Sequence, residues 1–148
     1  MPVWREVERN RFRTEYPLVS NERDGAVLVY VPPGEFEMGD GEGSDCPEHR
    51  VWLDGYYISV FAVTNAQYQG FVTAKGHRKP DNSLWQDSKY ADHPVTDVSW
   101  DDAQSYAKWA GLGLPSEAQW ERAARGPRNW KYPWGDAWDD DRCRHSGN

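Results

Sequence analysis

Two neighbouring stretches decide the fold: residues 114–126, which read LPSEAQWERAARG, and residues 132–136, which read YPWGD. Ser116 follows a proline and has the side chain of a good helix N-cap, so a helix is predicted from this point. It is expected to end at Gly126, where a residue in the left-handed conformation is predicted. The residues after Gly126 are predicted to be irregular. The expected apolar face of the helix consists of Trp120, Ala123 and Ala124.

Two more helices are predicted upstream from the same local signals. Thr64 with Gln67, and Ser99 with Asp102, stand at the reciprocal positions of a capping box. The first of these helices is expected to stop near Gly76. Apolar residues at helical spacing follow both caps, and residues 77–94 between the helices are polar and predicted to form a long loop. The apolar residues are Tyr68, Phe71 and Val72 in the first helix and Ala103, Tyr106, Ala107 and Ala110 in the second.

Strands are predicted only in the first part of the chain. Residues 26–31 form a short apolar run, Phe36 and Met38 alternate with acids, and residues 50–60 are rich in aromatic and β-branched types. Strands followed by helices do not give the alternation of a doubly wound parallel sheet, so the fold class is predicted to be α+β. Residues 1–24 carry balanced charges and are interpreted as an N-terminal arm, which leaves residues 25–148 as the domain.

Composition excludes several classes of function. The chain has 148 residues with 9 Trp, 8 Tyr and 4 Phe, so the core is expected to be built from aromatic rings. A net charge of -7 argues against nucleic acid and anionic membrane surfaces as partners. No run of about 18 apolar residues predicts a membrane span. The N-terminal residues have no apolar signal core, so a cytoplasmic location is expected.

The residues do not predict a catalytic constellation. The four histidines lie outside any Gly-x-Ser-x-Gly context, and His93 precedes a proline and is expected to pack or hydrogen-bond. Asp45 stands beside Cys46, and a carboxylate there disfavours a reactive thiolate. Cys143 lies between two arginines and is the better placed thiol, but no base is near it in sequence. No catalytic residue is therefore assigned.

Two binding hypotheses remain open for the irregular segment after the third helix. Trp130, Trp134 and Trp138 are either core residues or an exposed aromatic platform, because binding aromatics often lie in loops. The acids of the same segment are either a solvated run or part of a calcium site, since calcium prefers oxygen ligands. The candidate calcium ligands are Asp136, Asp140 and Asn148.

Five blocks in order resemble the formylglycine-generating enzyme, or sulfatase-modifying factor, family. The family pattern covers residues 29–148, and its most recognisable part is the stretch quoted first. The other blocks are FEMG at 36–39 with PEHRV at 47–51, VTN at 63–65, HPV at 93–95 with VSW at 98–100, and YPWGD at 132–136.

The resemblance implies a variant of the C-type lectin fold with much irregular structure. It also implies an activity, because enzymes of this family oxidise a sulfatase cysteine to formylglycine with copper bound by a cysteine pair. That pair belongs to a later part of the family domain, so neither Cys46 nor Cys143 inherits the role and copper is not expected here. Asn148 resembles the first residue of the family's calcium site. Gly113 departs from the pattern, where the family usually has arginine.

These observations lead to two functional hypotheses. In the first, the chain is a C-terminally truncated, non-catalytic member that acts as a binding or interaction module for a protein or a small ligand. An exposed apolar face would then favour a homo-oligomer in which a second copy covers it. In the second, the chain is part of a formylglycine-generating oxidase whose catalytic segment lies on a further stretch of polypeptide or on another chain.

Overall fold

The computed structural model describes residues 4–6, 16–41 and 46–143. Within these residues the chain forms six strands, one short 3-10 turn at Ser88–Tyr90 and three α-helices. The strands are β1 Trp4–Glu6, β2 Leu18–Asn21, β3 Val27–Val31, β4 Gly34–Met38, β5 His49–Leu53 and β6 Tyr56–Ser59. The helices are α1 Asn65–Lys75, α2 Trp100–Ala110 and α3 Glu117–Arg125.

The chain divides into two compact units. The first contains Met1–Tyr30 and Tyr57–Leu114, and the second contains Val31–Tyr56 and Pro115–Asn148. The longest helices of the described residues have 11 residues, and none of these helices is long and apolar enough to cross a bilayer.

A four-stranded sheet in the order β1-β2-β3-β6 belongs to the first unit. β1 and β2, and β2 and β3, pair antiparallel, with Leu18 opposite Val29. Leu18 and Asn21 are almost completely buried, at 1% and 0% exposure. Residues 18–24 form β2 and the turn that leads to β3, so the domain boundary predicted at residue 24 lies in the turn of the β2–β3 hairpin. Because residues 1–24 carry many balanced charges, the sequence did not predict the short strand β2 within them.

The β2–β3 turn is fixed by polar contacts to both helices of the unit. Asn21 donates from Nδ2 to the Ala110 carbonyl at 2.9 Å. Asp24 accepts the hydroxyl of Tyr106 at 2.6 Å, and its carbonyl accepts Gln67 Nε2 at 3.2 Å. Burial, followed by the hydrogen bond to Asp24, raises the pKa of Tyr106 above its ordinary value.

Both capping boxes of the first unit form as predicted. Thr64 accepts the backbone N–H of Gln67, and Ser99 accepts that of Asp102. Gly76 ends α1 in the left-handed conformation. The core between α1 and α2 is aromatic, as the composition predicts, with edge-on and stacked ring pairs at centroid distances of 5.4–6.4 Å around one tyrosine. Its buried members are Tyr68, Phe71, Val72, Trp85, Tyr106 and Ala110.

The second unit is built on the β4–β5 hairpin and α3. The register places Phe36 opposite Val51, and Phe36 is buried at 5% exposure beneath the guanidinium of Arg122, 5.7 Å from its ring centroid. The single strand predicted over residues 50–60 is wrong. The extended structure is interrupted at Asp54 and Gly55, so the segment forms two strands, β5 and β6, which belong to different sheets.

Helix α3 has its predicted cap but not its predicted apolar face. Ser116 accepts the N–H of Gln119, which completes a third capping box. Trp120 is 64% exposed, while Ala123 and Ala124 are half-buried, so these three residues do not form one buried face. Gly126 has φ 65° but ψ −172°, so it is not the left-handed residue that was predicted.

Candidate functional site

The candidate site is the segment of residues 132–142, called here the aromatic loop. It begins with a tight turn in which Tyr132 donates its N–H to the Gly135 carbonyl at 2.9 Å and Gly135 donates back to Tyr132 at 3.1 Å. Gly135 has φ 136°, a conformation that side-chain-bearing residues rarely adopt. The turn places Tyr132 and Trp134, which are two positions apart, on the same side.

Three rings of the aromatic loop form one cluster. Tyr132 and Trp134 are stacked, with centroids 5.5 Å apart and planes only 10° from parallel. Trp138 meets Tyr132 edge-on at 5.3 Å and lies 6.1 Å from Trp134. Tyr132 and Trp134 are half-buried, and Trp138 is 48% exposed. The cluster is therefore a surface feature of the second unit.

Both indole N–H groups of the cluster are held within the loop. Trp134 donates to the Ala137 carbonyl at 3.1 Å, and Trp138 donates to Asp140 Oδ1 at 2.6 Å. Asp139 accepts the Asp141 N–H at 3.1 Å and Arg142 Nε at 3.2 Å. The rings are thus oriented before any ligand arrives, which lowers the entropic cost of binding.

An open cleft of about 670 Å³ lies along the loop. Its walls come from residues 134–142, so they include two tryptophans, four aspartates and one arginine. Among the described residues no other charged side chain lines this cleft. The cleft combines aromatic surface with a local excess of negative charge.

Two of the three tryptophans predicted to bind a ligand lie together in the cluster, and the third ring of the cluster is Tyr132. Trp134 and Trp138 share the cluster, whereas Trp130 lies beneath Arg128, whose guanidinium is 5.0 Å from its ring centroid. Tyr132 was not predicted as a binding residue. The signal that could have found it is the spacing of Tyr132 and Trp134 around a Pro-containing turn.

The predicted calcium ligands lie on the same loop where they are described. Asp136 accepts the Lys131 N–H at 3.0 Å, and Asp140 accepts the Trp138 indole. Asn148 lies outside the described residues. Within the described ranges no group of three or more His, Cys, Asp or Glu is arranged to hold a metal ion. The calcium site therefore stays a prediction.

The histidines and cysteines of the described residues are dispersed. His49 donates to the Pro47 carbonyl at 2.8 Å, and His93 is edge-on to Tyr90 at 5.2 Å, in agreement with the packing role expected for His93. His145 lies outside the described residues. Cys46 is exposed and Cys143 is half-buried, and the two are not joined by a disulfide.

One histidine contributes to a buried polar cluster at the start of α2. The Asp102 carboxylate, 5% exposed, accepts His77 Nε2 at 2.8 Å, Arg78 Nε at 2.9 Å and the Ser99 N–H at 2.8 Å. Burial alone would raise the pKa of Asp102. Hydrogen bonds from Arg78, Ser99 and His77 outweigh burial and hold that pKa well below its usual range. The cluster fixes the loop after α1 to the cap of α2.

A second polar cluster joins α3 to the β4 hairpin. Gly39 donates its N–H to Glu121 Oε1 at 2.8 Å, and its carbonyl accepts Arg125 Nη1 at 2.7 Å. Glu121 and Arg125 are themselves paired at 3.1 Å, one turn apart on α3. Helix α3 thus binds both the N–H and the carbonyl of Gly39 at the end of β4, an arrangement called here the clamp on Gly39.

The sequence matches the family described as the Sulfatase-modifying factor enzyme 1-like domain over residues 15–148. The chain belongs to the sulfatase-modifying factor family. The clamp on Gly39 connects two of the blocks, FEMG and WERAAR, that carry the sulfatase-modifying factor resemblance.

Two curated relatives illustrate the range of proteins that contain this domain. The chain is 35% identical to the formylglycine-generating enzyme of Streptomyces coelicolor, and the match covers 73% of this chain and 50% of that protein. It is 34% identical to the serine/threonine-protein kinase Pkn1 of Chlamydia trachomatis, over 90% of this chain and 24% of that protein. The chain spans half or less of the length of each.

A solved structure confirms the fold. PvdO from Pseudomonas aeruginosa superposes with a TM-score of 0.64, at 23% sequence identity, over 83% of this chain and 55% of that chain. The expected α+β, formylglycine-generating-enzyme-like fold of the sulfatase-modifying factor family is therefore confirmed.

Proposed function

We propose that this chain acts as a binding module of the sulfatase-modifying factor family, with the aromatic loop as its recognition surface. The observation that carries the proposal is the cluster of Tyr132, Trp134 and Trp138, which places three rings together on an open loop. Loops on a rigid scaffold are where binding residues concentrate.

The geometry of the cluster supports recognition better than a purely structural role. A ring that serves only the core is buried, as Phe71 and Tyr106 are at 2% and 4% exposure. Trp138 instead keeps 48% of its surface exposed while its indole N–H is bound to Asp140. Tyr and Trp give large contact areas at a low cost in side-chain entropy, because each has two rotatable torsions.

Selection from a displayed random-peptide library tests this proposal. We expect the chain to enrich peptides whose binding is weakened about tenfold or more by Trp138→Ala, the range of an aromatic anchor in an interface. Trp130→Ala is the matched control, since Trp130 already packs against Arg128 within the chain. Enriched peptides that bind both variants as well as the parent chain would contradict a role for the loop.

A second function is favoured by sequence relationship. The chain is 35% identical to the Streptomyces formylglycine-generating enzyme over 73% of its own length. It would then be the scaffold part of an oxidase that converts a sulfatase cysteine to formylglycine. Incubation of the complete polypeptide or assembly that contains this chain with a sulfatase-derived cysteine peptide, copper(I), oxygen and a thiol reductant, read by mass spectrometry, separates the two functions. Conversion of the cysteine would favour the oxidase, and an unchanged peptide bound in a Trp138-dependent manner would favour the binding module.

A further inference from the structure

We infer that strand β5 pairs edge to edge with β5 of a second copy of this chain, so that two β4–β5 hairpins form one sheet of four strands. The inference concerns a surface other than the aromatic loop and goes beyond the proposed binding function. It is carried by the open edge of β5 and by the side chains that pairing of this edge would bring together.

Strand β5 has a sheet partner on one side only. Within the described residues the hairpin sheet contains just β4 and β5, paired antiparallel with Phe36 opposite Val51. The backbone N–H and carbonyl groups of β5 that point away from β4 therefore have no strand beside them in this part of the chain. Such an edge pairs readily with another strand, because its hydrogen-bonding groups are already arranged in a row.

The outer face of β5 carries two exposed side chains of complementary chemistry. Trp52 is 62% exposed, and the side chain of Arg50 is 76% exposed. The two residues are two positions apart, so they point to the same side of the strand. On the other side Val51 and Leu53 are half-buried. A strand beside β5 would therefore meet a cation and an indole ring on one face and apolar side chains on the other.

These side chains make the edge of β5 complementary to itself. Antiparallel pairing of two copies of the five-residue strand His49–Leu53 aligns every residue only when Val51 lies opposite its own counterpart. In that register Arg50 of each copy lies opposite Trp52 of the other. Opposite residues have Cβ atoms about 4.5–5.5 Å apart, which allows a guanidinium to reach the indole face. The two-fold interface therefore contains the same cation–π contact twice.

The other edge of the hairpin is not complementary to itself. Glu35 and Glu37 are both exposed on β4. The equivalent pairing of two β4 strands would be centred on Phe36 and would place Glu35 of each copy opposite Glu37 of the other. Like charges directly opposite each other destabilise a sheet, and charged edge residues protect against pairing. The charge pattern therefore favours β5 over β4 as the edge that binds a second copy.

Analytical ultracentrifugation of the intact chain over a series of concentrations tests the inference. Two five-residue strands bury less surface than the roughly 1,200–2,000 Å² of a stable interface, so a weak, reversible monomer–dimer equilibrium is expected. Trp52→Ala is expected to raise the dimer dissociation constant about five- to thirtyfold, because an exposed cation–π contact is lost twice. Trp120→Ala removes a similarly exposed ring from α3 and is the matched control, which is expected to leave the constant unchanged.

Variants of Arg50 test the other half of the same contact. Arg50→Gln removes the cation and is expected to raise the dissociation constant about as much as Trp52→Ala does. Arg50→Lys keeps the cation and is expected to change the constant by less than about threefold. Circular dichroism melting establishes that each variant is folded.

Cysteine cross-linking tests the register. Cys46 and Cys143 are replaced by serine in every sample, and Arg50→Cys and Trp52→Cys are introduced in separate chains. A mixture of the two variants is expected to form a disulfide-linked dimer on mild oxidation, because the two positions lie opposite each other and one cation–π contact remains. Either variant alone is expected to stay unlinked, since identical positions lie diagonally, about 7–8 Å apart and beyond the reach of a disulfide.

Three results would overturn the inference. A chain that sediments as a monomer at every concentration would show that the edge of β5 does not pair. A dimer that Trp52→Ala weakens no more than Trp120→Ala does would assign the contact to another surface. A disulfide-linked dimer that one cysteine variant alone forms as readily as the mixture would contradict the register centred on Val51.

Discussion

Arg125 donates through Nη1 to the carbonyl of Gly39 at 2.7 Å, although 86 positions separate the two residues in the chain. Glu121, one turn before Arg125, accepts the N–H of the same glycine at 2.8 Å. Helix α3 therefore supplies an acceptor to the N–H and a donor to the carbonyl of a single residue at the end of β4. Because a half-buried backbone N–H and carbonyl need partners, this pair is expected to fix the helix on the hairpin.

Gly39 is predicted to tolerate no side chain. Its φ is +89°, and a Cβ built there would lie 2.6 Å from the Pro47 carbonyl oxygen. Gly39→Ala is expected to lower the free energy of unfolding by about 2–4 kcal/mol, from backbone strain and steric overlap together. Gly76→Ala is the control, because Gly76 also has positive φ, at +63°, but nothing lies within 4 Å of an added Cβ. Urea unfolding measures both, and an equal loss in the two variants would contradict the close approach of Pro47 to Gly39.

Arg125 is predicted to be poorly replaced by lysine. Its side chain is 17% exposed and reaches Gly39, Glu121 and the Asn129 carbonyl at once. Arg125→Lys is expected to cost about 1–3 kcal/mol, because a single ammonium cannot reach all three acceptors. Arg50→Lys is the comparison, since Arg50 is 76% exposed and stands 3.9 Å from Glu37. Thermal unfolding should separate the two, and comparable melting temperatures would argue that Arg125 contributes only a surface charge.

Asp102 is predicted to make stability depend on acidic pH. Its pKa is depressed in the folded chain, so it stabilises the fold at neutral pH, and this contribution begins to be lost as pH falls below the unfolded value of about 3.9. Asp102→Asn removes the charge and is expected to be less stable at pH 7 but to lose less of its remaining stability between pH 5 and pH 3. Asp81→Asn alters the other carboxylate near Arg78, which is 83% exposed, and should keep the parent profile. Parallel profiles for Asp102→Asn and the parent chain, from urea unfolding at each pH, would refute this linkage.

Asn21 is predicted to be essential for the β2–β3 hairpin. It is completely buried, donates to the Ala110 carbonyl and accepts the Arg23 N–H at 3.2 Å. Asn21→Asp keeps the shape and the acceptor but places a carboxylate oxygen against the Ala110 carbonyl, so it is expected to lose more than the 1–3 kcal/mol typical of a missing buried hydrogen bond (an approximate range). Asp92→Asn, at an exposed position, is the control for a change of the same two residue types. A melting temperature for Asn21→Asp equal to that of the parent would show that this contact is dispensable.

The local signals in the sequence located the helices because their causes are local. Each capping box needs only residues three positions apart, and Thr64, Ser99 and Ser116 all begin a helix as predicted. The aromatic core between α1 and α2 also follows from composition and helical spacing.

Features that depend on distant partners were not predictable in the same way. Trp120 has apolar character and the right spacing, yet it is 64% exposed, and the α3 side chains that contact the hairpin are the charged Glu121, Arg122 and Arg125. Leu18 is buried, in a strand that pairs with both β1 and β3, so the charges around it in sequence gave the wrong environment. In the aromatic loop, Tyr132 joins the cluster only because a turn closes between it and Gly135.

Recognition by the aromatic loop is tested most directly by a two-dimensional NMR titration of the nitrogen-15-labelled chain with a peptide enriched in the library selection. The chain has 9 tryptophans, and each indole N–H gives one signal that a Trp→Phe variant assigns. The indole signals of Trp134 and Trp138 are expected to shift with peptide concentration, while those of the exposed Trp52 and Trp120 stay unchanged. Shifts at Trp52 or Trp120 without shifts at Trp138, or no shift at any indole, would contradict recognition by the aromatic loop.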